Sequence, residues 1–152
     1  MSSAQVFLIP PPEPPHFLEI EIRTKVSVPL VSSNAAAGFP SPADDYLDRP
    51  LDFNELLIEN PAATFAVRCT GESMIGAGLF PGDIAIVDRS RTPKSGCIVL
   101  ALVDGEFTIK RYRKRAGVIV LQAENPKYPD MIISGETAFE VWGVITKAIR
   151  ML

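Results

Sequence analysis

One serine of this 152-residue chain stands where a nucleophile could be presented to a substrate. Ser73 lies in Gly71-Glu-Ser-Met, directly after an apolar run that is rich in strand-forming residues. A glycine at the end of a strand allows a tight turn, and such a turn would expose the serine hydroxyl. An ordinary turn serine fits the same four residues, so this tetrapeptide alone does not select a catalytic role.

A serine nucleophile needs a base. The single histidine, His16, lies in a proline-rich stretch, which argues against a Ser–His–Asp triad within the fold. Lysine can replace histidine, but it accepts a proton only when neutral. At the reference pKa of about 10.4, roughly one lysine in 2,500 is neutral at pH 7. Because burial beside apolar groups lowers this pKa, the base is expected on a hydrophobic element.

Lys110 best meets that requirement among the six lysines. It follows Phe107, Thr108 and Ile109 in a strand-like run. Strand alternation places Lys110 on one face with Thr108, whereas Phe107 and Ile109 point the other way. Lys147, on the last apolar run, is a weaker competitor. A surface lysine is compatible with the same pattern, which shortlists Lys110 without selecting it.

The elements that would position these residues are mostly strands beyond residue 62. Six runs are rich in Val, Ile, Phe and Tyr and are bounded by turn residues. They are Thr64–Cys69, Asp83–Asp88, Cys97–Val103, Phe107–Tyr112, Val118–Gln122 and Phe139–Ile149. Asp104-Gly105 between two of them indicates a two-residue hairpin. One short helix is expected from its N-cap Asp52 to about Glu59. The pattern predicts a small, mainly antiparallel β fold.

The first 50 residues are predicted to be an extended arm followed by a linker. Residues 10–15 read PPPEPP, and further prolines follow up to Pro50. Proline fixes φ and lacks a backbone donor, so this region cannot form a regular sheet or helix throughout. Phe17-Leu-Glu-Ile-Glu-Ile-Arg alternates apolar and polar residues, which predicts one strand, added to a sheet edge.

Composition disfavours several classes of protein. The net charge of −3 argues against direct sequence-specific DNA binding, since DNA-binding proteins usually carry a basic surplus. Cys69 and Cys97 are too few for a disulfide framework and fit buried thiols in a reducing compartment. Without a His/Cys cluster, no metal site is expected. No apolar run approaches a membrane span or a secretory signal, so the predicted location is cytoplasmic.

Several ordered blocks together resemble the LexA/UmuD family of self-cleaving serine proteases. Three carry the family likeness: Gly71-Glu-Ser-Met-Ile, Gly82-Asp-Ile-Ala-Ile-Val-Asp and Asp104-Gly-Glu-Phe-Thr-Ile-Lys-Arg. Residues 39–46 and 51–58 resemble the UmuD branch, which supplies accessory subunits of an SOS-response DNA polymerase. The resemblance covers roughly residues 37–147.

The resemblance implies a role for five residues. Ser73 falls on the nucleophile of the family and Lys110 on its general base. Ala37 and Gly38 fall on the scissile bond. The backbone N–H groups of Ser73 and Glu72 would form the oxyanion hole. No cofactor is implied.

The same resemblance implies an organisation and partners for the chain. Residues 1–37 would be a cleavable arm, residues 38–51 a linker and residues 52–152 the protease domain. A RecA filament on single-stranded DNA would stimulate cleavage. The product would form a homodimer and join a UmuC-like polymerase in translesion synthesis. The residues ahead of Gly38 are proline-rich and too few for a three-helix DNA reader, which favours the UmuD branch over the repressors.

Three other functions remain open from the sequence. A signal peptidase also pairs serine with lysine, and its Ala-x-Ala preference fits Ala35-Ala-Ala. The absence of a membrane anchor argues against it. A LexA-type or phage-type repressor is the second alternative. A non-catalytic β-fold dimer that binds a polymerase is the third.

Overall fold

The computed structural model describes residues 16–18, 20–21, 27–29 and 50–152. In this part of the chain one helix, α1 (Phe53–Leu57), lies among ten strands. In chain order the strands are β1 (His16–Leu18), β2 (Ser27–Val28), β3 (Leu51–Asp52), β4 (Thr64–Arg68), β5 (Ile84–Asp88), β6 (Ile98–Val103), β7 (Glu106–Arg115), β8 (Val118–Gln122), β9 (Met131–Ile133) and β10 (Phe139–Ile149). Two short 3₁₀ turns span Pro61–Ala63 and Ile75–Ala77.

Eight of the described strands form one antiparallel sheet in the order β1-β4-β5-β10-β6-β7-β8-β9. A second ladder pairs β2 with β3. The predicted fold class, mainly antiparallel β with one short helix, is confirmed. β8 and β10 have the predicted bounds, whereas β9 was not predicted, because three residues are too few to show alternation.

The β6–β7 hairpin has the predicted two-residue turn. Asp104 and Gly105 have φ angles of 47° and 85°, the double positive φ of a type I′ turn. Ala116 and Gly117 repeat this geometry between β7 and β8, with φ angles of 49° and 79°. This second hairpin was not predicted, because alanine rarely adopts positive φ. As a result β7 extends to Arg115, past the predicted end at Tyr112.

The helix begins as the sequence predicts and ends slightly earlier. Asp52 is the N-cap, and its Oδ1 accepts a hydrogen bond from the Asn54 N–H at 2.9 Å. The last helical residue is Leu57, with Ile58 as C-cap, rather than Glu59. Among the described residues, no helix is long and apolar enough to cross a membrane.

The sheet buries apolar side chains on both faces. On β6, Leu100 packs into one core cluster, and Val99 and Ala101 pack into a second. The first cluster also contains Met74 and Leu79, which come from the segment between β4 and β5. Burial of these two side chains folds that segment onto the sheet and so fixes where Ser73 can lie.

β1 comes from the predicted arm and occupies the edge of the sheet beside β4. The Phe17 ring lies 4.8 Å from Phe107 and 5.8 Å from both Phe65 and Trp142, measured between centroids. The predicted edge strand is thus confirmed over His16–Leu18. The predicted arm also contributes β2, which pairs with β3. Apart from residues 16–18, 20–21 and 27–29, the arm lies outside the described residues, as do Ala37, Gly38 and almost all of the linker.

Candidate active site

Ser73 lies in a turn that we call the Ser73 turn, residues 70–79. Met74 and Leu79 of this turn are buried in the first core cluster, and their packing holds the turn against the sheet. The Glu124 N–H donates to the Ser73 carbonyl oxygen at 2.8 Å, and the Gly76 N–H donates to the Glu124 carbonyl oxygen at 2.8 Å. A Cβ on residue 76 would lie 2.5 Å from that carbonyl oxygen, so only glycine permits this close approach.

The Asn125 side chain makes a further contact with the same turn. This residue is only 8% exposed, and its Nδ2 donates to the Glu72 carbonyl oxygen at 2.9 Å. Its Oδ1 accepts from the Lys127 N–H at 3.1 Å. The segment 124–125 therefore holds the Ser73 turn by three hydrogen bonds, in addition to the bonds that the turn makes within itself.

Lys110 reaches Ser73 from β7. Three strands separate β4 from β7, so a flat sheet would place them roughly 19 Å apart, at about 4.8 Å per strand step. The folded-back Ser73 turn closes this distance, and Lys110 Nζ lies 3.0 Å from Ser73 Oγ. Nζ also lies 2.8 Å from Thr108 Oγ1 and 3.2 Å from the Ile109 carbonyl oxygen. The two candidate residues from the sequence are thus brought into hydrogen-bond contact.

Burial changes the acid–base behaviour of Lys110. Desolvation lowers its pKa from 10.5 to about 8. Within the described part of the chain no carboxylate forms an ion pair with this lysine, so no opposite charge offsets the cost of burying its own. At pH 7 roughly one Lys110 side chain in ten is neutral, against one in thousands for a lysine in water.

Ser73 and Lys110 open onto a cavity of about 910 Å³. Apolar side chains on its walls include Leu79, Ile109 and Ile132. A largely apolar space of this size can hold a short extended peptide beside the Ser73 hydroxyl. Among the described residues, none accepts a hydrogen bond from the backbone N–H of Ser73 or Glu72. The N–H groups predicted for an oxyanion hole therefore have no intramolecular partner there.

Two other groups considered from the sequence do not compete with this pair. Lys147 Nζ lies 3.6 Å from Glu59 Oε1, in an ion pair on the surface. Cys69 lines the cavity as a free thiol, but burial raises its pKa to about 11. A protonated thiol is a poor nucleophile at neutral pH. The His16 side chain is not among those described.

The sequence did not reveal the residues that support the pair. Thr108 was placed on the same face as Lys110, and this alternation could have suggested their contact. Asn125 stands before Pro126, and this pair indicates only a turn. It lies 53 positions from Glu72, and nothing local in the sequence indicates a contact at that distance. Gly76 is one of several glycines that follow Ser73, and the sequence alone does not distinguish it from the others.

Comparison with known proteins gives a consistent family. A family model described as Peptidase S24-like matches residues 29–146. Protein SamA of Salmonella typhimurium is 42% identical over 124 residues, which cover 82% of this chain and 86% of SamA. Protein ImpA of Escherichia coli is 42% identical over 127 residues, which cover 80% of this chain and 83% of ImpA. The LexA repressor of Clostridium kluyveri is 35% identical over 112 residues, which cover 71% of this chain and 53% of the repressor.

Proposed function

This chain belongs to the Peptidase S24-like family, and we propose that it is a serine peptidase that cuts its own chain between Ala37 and Gly38. Ser73 is the nucleophile and Lys110 the general base. The observation that carries the proposal is the 3.0 Å contact between Lys110 Nζ and Ser73 Oγ at a lysine whose pKa is lowered to about 8.

The contacts of Lys110 Nζ orient it for proton transfer. A neutral lysine amine has two N–H donors and one lone pair. The Ile109 carbonyl oxygen can only accept, and Thr108 Oγ1 can accept the second N–H. The lone pair is then left for the Ser73 O–H, which donates its proton to Nζ as Oγ attacks the substrate carbonyl.

The reaction follows in two stages. Ser73 Oγ bonds to the Ala37 carbonyl carbon, and the Ser73 and Glu72 N–H groups stabilise the negative charge on the carbonyl oxygen. The Lys110 ammonium protonates the Gly38 nitrogen as the peptide bond breaks, leaving Ala37 esterified to Ser73. Lys110 then takes a proton from a water molecule that attacks this ester, and it returns the proton to Ser73 Oγ as the ester bond breaks. The products are residues 1–37 and residues 38–152.

Chain length permits the cut to occur within one chain or between two. The 14 residues from Gly38 to Leu51 span up to about 46 Å when extended, at roughly 3.3 Å per residue. Small side chains at Ala35, Ala36 and Ala37 suit an extended segment that enters a narrow groove as an added strand.

The proposal extends to an SOS mutagenesis role in the cytoplasm, supported by the relationship to SamA and ImpA and by the UmuD-like blocks of the sequence. A RecA filament on single-stranded DNA stimulates the cut by favouring the conformer in which Ala37 and Gly38 occupy the site, which is a population shift. Residues 38–152 then form a homodimer that serves as a subunit of a UmuC-like translesion polymerase.

Mass spectrometry of purified variants incubated at pH 9 tests the catalytic residues. Ser73→Ala and Lys110→Ala are expected to remain intact, whereas the wild type yields residues 38–152. Lys147→Ala, a matched loss of one lysine outside the site, is expected to be cut at the wild-type rate. Gly38→Glu is expected to slow the cut. Formation of residues 38–152 by Ser73→Ala or Lys110→Ala would refute the pair.

A further inference from the structure

We infer that Asn125 is a positioning residue that aims the Ser73 N–H into the cavity as an oxyanion donor, an inference that rests on the proposed function. Asn125 does not line the cavity. It contacts the Ser73 turn from behind, through the 2.9 Å hydrogen bond from its Nδ2 to the Glu72 carbonyl oxygen.

The direction of the Glu72 carbonyl determines the direction of the Ser73 N–H. The Glu72 carbonyl and the Ser73 N–H belong to the same peptide unit, which is planar and trans, so the two bonds point in opposite directions. The Glu72 carbonyl oxygen accepts from Asn125 Nδ2 at 2.9 Å and from the Ile75 N–H at the longer distance of 3.4 Å, so the Asn125 bond is the shorter of the two and holds the carbonyl toward the 124–125 segment. The Ser73 N–H must therefore point away from that segment, toward the side on which the cavity lies.

The Ser73 N–H is free to bind a substrate oxygen as far as the described residues are concerned. Within the described residues nothing accepts from the Ser73 N–H, although the neighbouring carbonyl groups of Glu72 and Ser73 are both bonded. A backbone donor beside the Ser73 Oγ that is fixed in direction and has no acceptor among the described residues is available for a developing oxyanion. Such a donor stabilises the transition state only if its direction is fixed before the reaction.

Burial and two hydrogen bonds fix the orientation of the Asn125 amide. The side chain is 8% exposed, and both ends of its amide are used, Nδ2 on Glu72 and Oδ1 on the Lys127 N–H. The amide is therefore locked in one orientation with the donor toward the Ser73 turn. An aspartate of the same shape would keep the bond from the Lys127 N–H but would present an oxygen to the Glu72 carbonyl, with no proton to donate.

The test is the rate of self-cleavage of the full chain against pH, for wild type, Asn125→Ala and Asn125→Asp. Removing one fixed oxyanion donor slows acyl transfer by about 100-fold or more, and misaiming it is expected to slow the plateau rate at least about tenfold. The plateau rates of both variants are expected to fall by at least this factor. In Asn125→Ala the midpoint of the profile is expected to stay at the wild-type value, because Lys110 is untouched. Lys127→Ala, an exposed neighbour that contacts Asn125 only through its backbone, is the matched control and is expected to cut at the wild-type rate.

The outcomes separate donor chemistry from loop support. If Asn125 only supports its own loop, Asn125→Asp will cut within threefold of wild type while Asn125→Ala is slow, and the inference is overturned. A shifted midpoint with an unchanged plateau in Asn125→Ala also overturns it, because the residue would then act on Lys110. Failure of the wild type itself to cut at pH 9 would instead refute the proposed function, and the inference with it. If Asn125→Ala does not fold, the conservative Asp variant decides.

Discussion

The pH dependence of self-cleavage follows from the burial of Lys110. Its pKa in the folded protein is about 8, below the ordinary 10.5. Only the neutral amine can take the Ser73 proton, so the rate should follow the neutral fraction. That fraction is about 1% at pH 6, about 10% at pH 7 and half at pH 8, and it is nearly complete at pH 10.

These fractions give a specific shape for the profile. The rate should rise roughly 50-fold between pH 6 and pH 8 and only about twofold between pH 8 and pH 10. A lysine with an unperturbed pKa of 10.5 would show no such levelling, because its neutral fraction would rise roughly 100-fold between pH 6 and pH 8 and again roughly 75-fold between pH 8 and pH 10.

The assay is the appearance of residues 38–152 from purified full-length chain, measured by gel and intact mass at half-unit pH steps and constant ionic strength. Thermal unfolding at each pH serves as the control that the protein is folded across the range. A rate that continues to rise tenfold per unit up to pH 10 would refute the reasoning about burial. A rate that is independent of pH would refute the role of Lys110 as base.

Three further predictions concern stability and the arm. Lys110→Met is expected to raise the free energy of unfolding at pH 6 by about 2–3 kcal/mol, since burial disfavours the lysine charge below its folded pKa of about 8. Urea titrations should show that this gain disappears above pH 10.5, where the lysine is neutral in the folded and the unfolded protein. An unchanged free energy of unfolding at pH 6 would contradict the prediction. Arg150→Met is expected to lower the free energy of unfolding at pH 7, because it leaves the buried carboxylate of Asp83 without its ion-pair partner. Arg150 holds the pKa of Asp83 below 3.8, so this difference should shrink as the pH falls below that value, and a pH-independent loss in urea titrations would contradict it. Phe17→Ala is expected to shift the fluorescence of Trp142, the single tryptophan, to longer wavelength, because the Phe17 ring packs against the indole, and unchanged emission would show that this contact is absent in solution.

Turns and helix starts that depend on neighbouring residues alone could be predicted from the sequence, whereas those that depend on strand pairing could not. Asp104-Gly105 and Asp52 determine their turn and helix start through their own backbone and side-chain preferences, and both were predicted. The Ala116-Gly117 turn was not predicted, because the pairing of β7 with β8 overrides the reluctance of alanine to adopt positive φ. Local preference could not show this pairing.

The candidate site divides in the same way. Ser73 and Lys110 could be shortlisted from turn and strand patterns, and only the resemblance to a family selected them. Their contact depends on the burial of Met74 and Leu79, which folds the Ser73 turn across a sheet that separates β4 from β7. Asn125 acts across 53 positions, a distance at which no periodicity or capping signal operates.

Intact-mass spectrometry of the purified chain, incubated with and without a RecA filament on single-stranded DNA, tests the central claim most directly. The account predicts two fragments, residues 1–37 and 38–152, that form faster with the filament and do not form from Ser73→Ala. A chain that keeps its full mass at pH 9 with the filament present, or that is cut at another bond, would contradict it.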